Sequence, residues 1–213
     1  MTDSSRLRLG IFGGTFDPIH YGHLRMAEEA REQIGLDRVL FVPNRVSPFK
    51  AGRELTPGRS RADMVGSAIA GNPAFELYTF EIHRPGPSYT IDTVRQVAVD
   101  YPDADLFFLT GTDAVRDLPT WREPDALIAL VRFVAVTRPG VTHEEVAELL
   151  PPAYRERVRF MEMPAIEIAG TDLRDRVRQG RSIRYLTPPA VEAMIYEKEL
   201  YTVGCAESRG VNS

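Results

Sequence analysis

Two periodicities take turns along this chain. Leu7, Leu9 and Ile11 alternate with Arg6, Arg8 and Gly10, the period of a strand with one buried face. Leu24, Ala27, Ala30 and Ile34 then recur at helical spacing, and Gly35 stands where helices commonly stop. The exchange repeats. Residues 39–42 form a short apolar strand ended by Pro43. Thr56-Pro57 reads as an N-cap and first helical position, ahead of an apolar face made by Met64, Val65, Ala68 and Ile69. Residues 75–82 read as a strand, and a Pro85 to Thr90 loop opens into a helix buried through Ile91, Val94, Val97 and Ala98. The continuous apolar run 106–109 predicts a strand covered on both faces. A short helix over 125–130 and a strand over 133–137 follow. Thr142 and Glu145 have capping-box spacing ahead of a helix reaching Leu150. The last strand is expected over 158–161. Thr171 is expected to cap a helix that Gly180 ends, and a final helix to run over about 189–198.

This alternation predicts an α/β fold: a Rossmann-like, doubly wound, mostly parallel sheet with helices on both faces and a C-terminal helical segment. Residues 1–201 read as one domain and 202–213 as a polar tail, with no repeat and no linker between them. Ligands of such sheets sit beyond the carboxyl ends of the strands. The Gly13 loop, the Asn44 loop, Gly111-Thr112-Asp113 and Arg138 all follow strands, so one crevice can collect them.

Composition narrows the chemistry. A chain of 213 residues, 43% hydrophobic and 26% charged, suits a soluble domain with a full core. It has no apolar run of membrane-spanning length and no signal-peptide h-region, and its one cysteine, Cys205, lies in the polar tail. A reducing cytoplasm is the expected home. The net charge of −4 argues against a general nucleic-acid binder, so a positive field for polyphosphate has to be local. Neither a Walker motif nor G-x-G-x-x-G occurs, which counts against a P-loop ATPase and an ordinary dehydrogenase.

The richest stretch runs from Gly13-Gly14-Thr15-Phe16-Asp17-Pro18 to Ile19-His20-Tyr21-Gly22-His23. It joins the first strand to the first helix through two glycines, whose missing Cβ atoms let a ligand approach the backbone. A helix start presents unpaired N–H groups and a partial positive charge, and His20 and His23 add donors on one side. The stretch reads as a phosphate site. A metal site of Asp17, His20 and His23 in a hydrolase is the chemical rival, with only His83 and His143 to add. A second anion site is expected at Thr171-Asp172-Leu173-Arg174, where a capped helix start meets a guanidinium suited to phosphate.

The first stretch resembles the signature G-x-F-D-P-x-H-x-G-H of the HxGH nucleotidyltransferases, and Ile168-Ala169-Gly170-Thr171-Asp172-Leu173-Arg174 resembles their I-S-S-T-x-x-R, with both serines replaced. Within that superfamily the chain looks like the bacterial nicotinate-nucleotide adenylyltransferases. Phe41-Val42-Pro43-Asn44 with Pro48-x-Lys50, Pro87-Ser88-Tyr89-Thr90 with Thr93, Gly111-x-Asp113 with Leu118 and Trp121, and Thr137-Arg138-Pro139-Gly140 carry the likeness, in the family's order. It implies transfer of AMP from ATP to nicotinate mononucleotide, without a covalent intermediate. By resemblance, His20, His23 and Arg174 are the catalytic set. Gly13, Gly14, Thr15, Phe16, Gly111, Asp113, Ile168 and Thr171 join them in binding ATP, which carries Mg²⁺ with it rather than at a dedicated metal site. Asn44, Ser88, Tyr89, Thr90 and Trp121 are assigned to the mononucleotide, whose phosphate meets Lys50 or Arg138. No nucleic acid or membrane partner is implied, and the oligomeric state, a homodimer included, stays open. So do a different phosphorylated acceptor, such as nicotinamide mononucleotide or pantetheine phosphate, and a sensor that binds nucleotide without turnover.

Overall fold

The strands β1 (Arg8–Gly14), β2 (Arg38–Pro43), β3 (Phe75–Leu77), β4 (Asp105–Gly111), β5 (Arg132–Thr137) and β6 (Val158–Glu162) form one sheet in the order β3-β2-β1-β4-β5-β6, with every pairing parallel. This is a computed structural model, and it describes residues 6–45, 55–137, 143–164 and 166–202. Helices α1 (Tyr21–Ile34), α2 (Gly58–Ile69), α3 (Phe80–His83), α4 (Thr90–Asp100), α5 (Thr112–Arg116), α6 (Pro124–Leu130), α7 (His143–Glu148), α8 (Pro152–Arg155), α9 (Gly170–Arg178) and α10 (Pro189–Glu197) connect and follow them. No helix among the described residues is long and apolar enough to cross a membrane.

The core is two layers, one on each side of the sheet. Ala27, Ala30 and Ile34 of α1 pack on one face with Met64 and Val65 of α2, Leu173 and Val177 of α9, and Val191 and Ile195 of α10. Ile91, Val94 and Val97 of α4 cover the other with Val115, Leu127 and Val146. β1 belongs to both layers: Leu9 and Ile11 point to the second, Phe12 to the first. It is therefore buried on two faces rather than one. Gly10 makes that possible, because a Cβ there would lie 2.9 Å from the Leu36 side chain.

Several predicted boundaries shift. The strand expected over 75–82 is only Phe75–Leu77, and Phe80–His83 is a helical turn that sends the buried Glu81 inward to accept a hydrogen bond from the Thr93 hydroxyl at 2.5 Å. Pro57 occupies the N-cap of α2, one place before the expected position, and Thr56 lies outside the helix. α7 stops at Glu148, short of Leu150, and α8, which no periodicity announced, follows. Thr142 lies outside the described residues, so its capping pair with Glu145 does too.

Candidate active site

The carboxyl ends of β1 and β4 lie side by side where the strand order reverses, the place at which such sheets bind ligands. From β1 the chain passes through Thr15 to Pro18, with a cis Asp17-Pro18 peptide, and enters α1 at His20. His20 is the N-cap and His23 the third helical residue. The His20 N–H donates to His23 Nδ1 at 3.3 Å, and the two rings stack with centroids 3.7 Å apart. Gly22 is what permits this, since a Cβ there would meet the His20 ring at 3.1 Å. His20 is buried, and burial lowers its pKa from 6.5 to about 4, so it is neutral at physiological pH. Its Nδ1 has no hydrogen-bond partner. A buried polar atom left unpaired at a helix start suits an incoming polar ligand.

The two glycines differ in what surrounds them. A Cβ on Gly14 would lie 2.7 Å from the Phe16 ring, and one on Gly13 3.5 Å from Phe108. The Phe16 ring takes the space that Gly14 leaves, whereas a Cβ on Gly13 would make only ordinary contact with Phe108. Phe16 itself is buried, at φ 48°, edge-on to Phe12 and His23, so its ring serves the core and only its backbone remains for a nucleotide. The helix start is also partly used: Tyr21 N–H donates to Leu186 O at 3.1 Å and His23 N–H to His20 O at 3.0 Å.

α9 brings the second anion motif to the first. Arg174 Nη1 donates to the Asp17 carbonyl at 2.6 Å. A Cβ on Gly170 would lie 2.9 Å from that same carbonyl oxygen, and one on Gly22 3.7 Å from Ile168 O. Thr171 does not cap this helix. Ala169 is the N-cap, Gly170 already helical, and Thr171 an exposed second residue, because a residue without Cβ lets the first turn start against Asp17. Leu173 N–H is the first to bond back, to Ala169 O at 3.2 Å, so the N–H groups of Gly170, Thr171 and Asp172 precede the ladder.

Tyr89 and Trp121, two of the residues expected to serve the acceptor, pack against the other core layer. Asn44 N–H donates to Gly14 O at 2.9 Å and its amide to Thr15 Oγ1 at 3.4 Å, which joins the β2 loop to the phosphate loop. Arg45 N–H donates to Ser88 Oγ at 3.1 Å, and burial raises the pKa of nearby Glu81. Ser88 is thus a strut between loops. Tyr89 is the N-cap of α4, with Arg122 4.6 Å over its ring, and Thr90 is the first helical residue. Trp121 is half-buried, edge-on to Phe108 and Phe133. Gly111 ends β4 with open space at its Cβ position, and Asp113 is exposed in the first turn of α5, past the Gly111 N-cap. Lys50 and Arg138 lie outside the described residues.

Two contributors went unread in the sequence. Arg61 of α2 is 1% exposed and donates to three loop carbonyls, Thr56 through Nε at 2.8 Å, Thr15 through Nη1 at 2.6 Å and Arg45 through Nη2 at 3.0 Å. Its spacing to Met64, Val65 and Ala68 was the available signal, a charge on an apolar stripe. Tyr201 donates from its phenol to Asp17 Oδ1 at 2.6 Å, and Thr56 N–H reaches Asp17 Oδ2 at 3.5 Å. Asp17, the carboxylate of the metal-hydrolase rival, is thereby committed as an acceptor on both oxygens.

The pattern of the cytidylyltransferase-like family matches residues 11–176. A probable nicotinate-nucleotide adenylyltransferase of Roseiflexus sp. is 48% identical over 195 residues, covering 91% of this chain and 97% of the relative. One of Symbiobacterium thermophilum is 45% identical over 206 residues, 95% of this chain and 98% of its own. Among solved structures, Plasmodium falciparum nicotinic acid mononucleotide adenylyltransferase complexed with NaAD matches with a TM-score of 0.73 at 18% identity, over 91% of this chain and 97% of that one, which is a likeness of fold. With its sheet, its paired histidines and relatives that span nearly its whole length, this chain belongs to the cytidylyltransferase-like family and, within it, to the nicotinate-nucleotide adenylyltransferases.

Proposed function

We propose that this enzyme transfers AMP from ATP to nicotinate mononucleotide in NAD biosynthesis. A phosphate oxygen of the mononucleotide attacks the α-phosphorus of ATP in line. The bond to the β-phosphate bridging oxygen breaks, and deamido-NAD and pyrophosphate leave. The observation that carries the reading is the junction of two helix starts: Arg174 of α9 bonded to Asp17, three residues before the stacked His20 and His23 of α1. Two N-termini, two imidazoles and a guanidinium in one place favour a polyphosphate, and they stabilise charge that grows on the leaving group.

His20, His23 and Arg174 hold the triphosphate. Gly13 to Phe16 contribute backbone, Gly111 and Asp113 the ribose side, and Ile168 and Thr171 the α9 start. ATP enters as its magnesium complex, with Mg²⁺ part of the substrate, since the loop's own carboxylate is bonded to Tyr201 and Thr56. Asn44, Ser88, Tyr89, Thr90 and Trp121 serve the mononucleotide. The cytoplasm is the proposed place of action, in keeping with a single cysteine.

Pyrophosphate release from ATP, measured with nicotinate mononucleotide, nicotinamide mononucleotide and pantetheine phosphate in turn, tests this. The first should be the preferred acceptor. A neutral amide facing the N–H donors at the start of α4 leaves a polar group unpaired, worth about 5- to 150-fold in kcat/KM. No release with any acceptor refutes adenylyl transfer, and an equal rate with both pyridine nucleotides refutes the carboxylate preference alone.

A further inference from the structure

We propose that Tyr201, at the far end of the described chain, is a positioning residue for the triphosphate, acting through Asp17; this rests on the adenylyl-transfer reading above. Its phenol donates to Asp17 Oδ1 at 2.6 Å across 184 residues of sequence. The Thr56 N–H reaches the other carboxylate oxygen, Asp17 Oδ2, at 3.5 Å. On its backbone side, Asp17 accepts Arg174 Nη1 at 2.6 Å, and two residues earlier Thr15 O accepts Arg61 Nη1 at 2.6 Å. The segment that leads into His20 and His23 is therefore held by α2, by α9 and by the end of the chain. Without Tyr201 the Asp17 carboxylate, 7% exposed, loses its shortest hydrogen bond.

A plain C-terminal staple would need only apolar packing of the ring. Three observations point past that. Tyr201 adopts φ 65°, an unfavourable backbone for a bulky residue, and the result is a phenol aimed at the phosphate loop. Burial and the adjacent Asp17 push the phenol's pKa well above its ordinary value, so it stays a donor at every working pH. Its acceptor is the residue whose carbonyl holds Arg174, so loosening one side of Asp17 moves the guanidinium on the other. A small displacement of preorganised donors is felt at the transition state.

Tyr201→Phe in the full chain removes one oxygen and keeps the ring. The expected result is a loss of about 10-fold in kcat/KM for ATP, with the KM for the mononucleotide unchanged and melting lowered by no more than about 4 °C. Tyr196→Phe, on the exposed face of α10, is the control and should match wild type. In a cycle with Asp17→Asn, the double variant should be no worse than the poorer single. Wild-type kinetics in Tyr201→Phe, an equal rise in both KM values, or additive losses would each overturn the proposal. If Tyr201→Phe does not fold, Asp17→Asn, which weakens the same bond from its acceptor side, must show the same ATP-selective loss or the proposal fails. If wild type releases no pyrophosphate with any acceptor, the functional reading falls instead, and ATP affinity by calorimetry becomes the readout for the same variants.

Discussion

His20 combines 5% exposure, a pKa lowered to about 4 by burial, and an Nδ1 without a partner. Between pH 4 and 6.5 the unfolded chain binds a proton here that the folded chain does not, so stability falls as pH falls through that window, by up to about 3 kcal/mol. Urea midpoints should therefore drop more steeply from pH 6.5 to 4 in wild type than in His20→Asn; parallel curves would rule this out. Bound triphosphate acts in the opposite direction, favouring the imidazolium. ATP binding near pH 6.5 should take up a proton, seen as a dependence of calorimetric heat on buffer ionisation enthalpy that His20→Asn loses. His20→Ala and His23→Ala should each lower kcat by roughly 10²–10³-fold. Gly170 is the other decisive single residue. Serine there puts a Cβ 2.9 Å from the Asp17 carbonyl and forces α9 outward, so Gly170→Ser should raise the KM for ATP and reduce stability by about 1–3 kcal/mol. Unchanged kinetics would show that α9 need not approach so closely.

At the scale of elements, α2 has a task beyond its packing on the sheet. Arg61 ties the phosphate loop, the β2 loop and the segment before α2 through their carbonyls, and Arg61→Met leaves all three unpaired. A loss of about 3 kcal/mol in unfolding free energy is expected by denaturant titration, and a neutral effect would mean that solvent replaces the guanidinium there. Elements were legible in the sequence where one periodicity ran long enough to bury a face, as in α1, α4 and β4. They blurred where a residue's fate is set by a distant partner. Nothing local in Phe75 to Ile82 distinguishes a strand from a strand followed by a helical turn, because the turn answers to Glu81 meeting Thr93. The site followed the same rule. The Gly13 to His23 string and Arg174 read as a phosphate motif in the sequence, but the close packing of Gly14 on the Phe16 ring is not written there. Thr171 lost its capping role to a contact 153 residues of sequence away, between Gly170 and Asp17.

Seen whole, the molecule sets the residues proposed for its two substrates on separate layers that meet at the end of one strand pair. His20, His23 and α9 belong with the layer packed by α1 and α10, while Tyr89 and Trp121 pack against the layer of α4 and α6. β1 and β4 form the seam, in register from Arg8 against Asp105 to Ile11 against Phe108. The hydrogen bond between Tyr201 and Asp17 spans the described chain, and that gives the site a clock. During synthesis the phosphate loop is made first and its last support nearly two hundred residues later, so a growing chain has the motif long before it has the geometry. Nucleotide capture should switch on abruptly as residue 201 leaves the ribosome, and a chain interrupted shortly before that point would carry every signature residue and still hold ATP poorly.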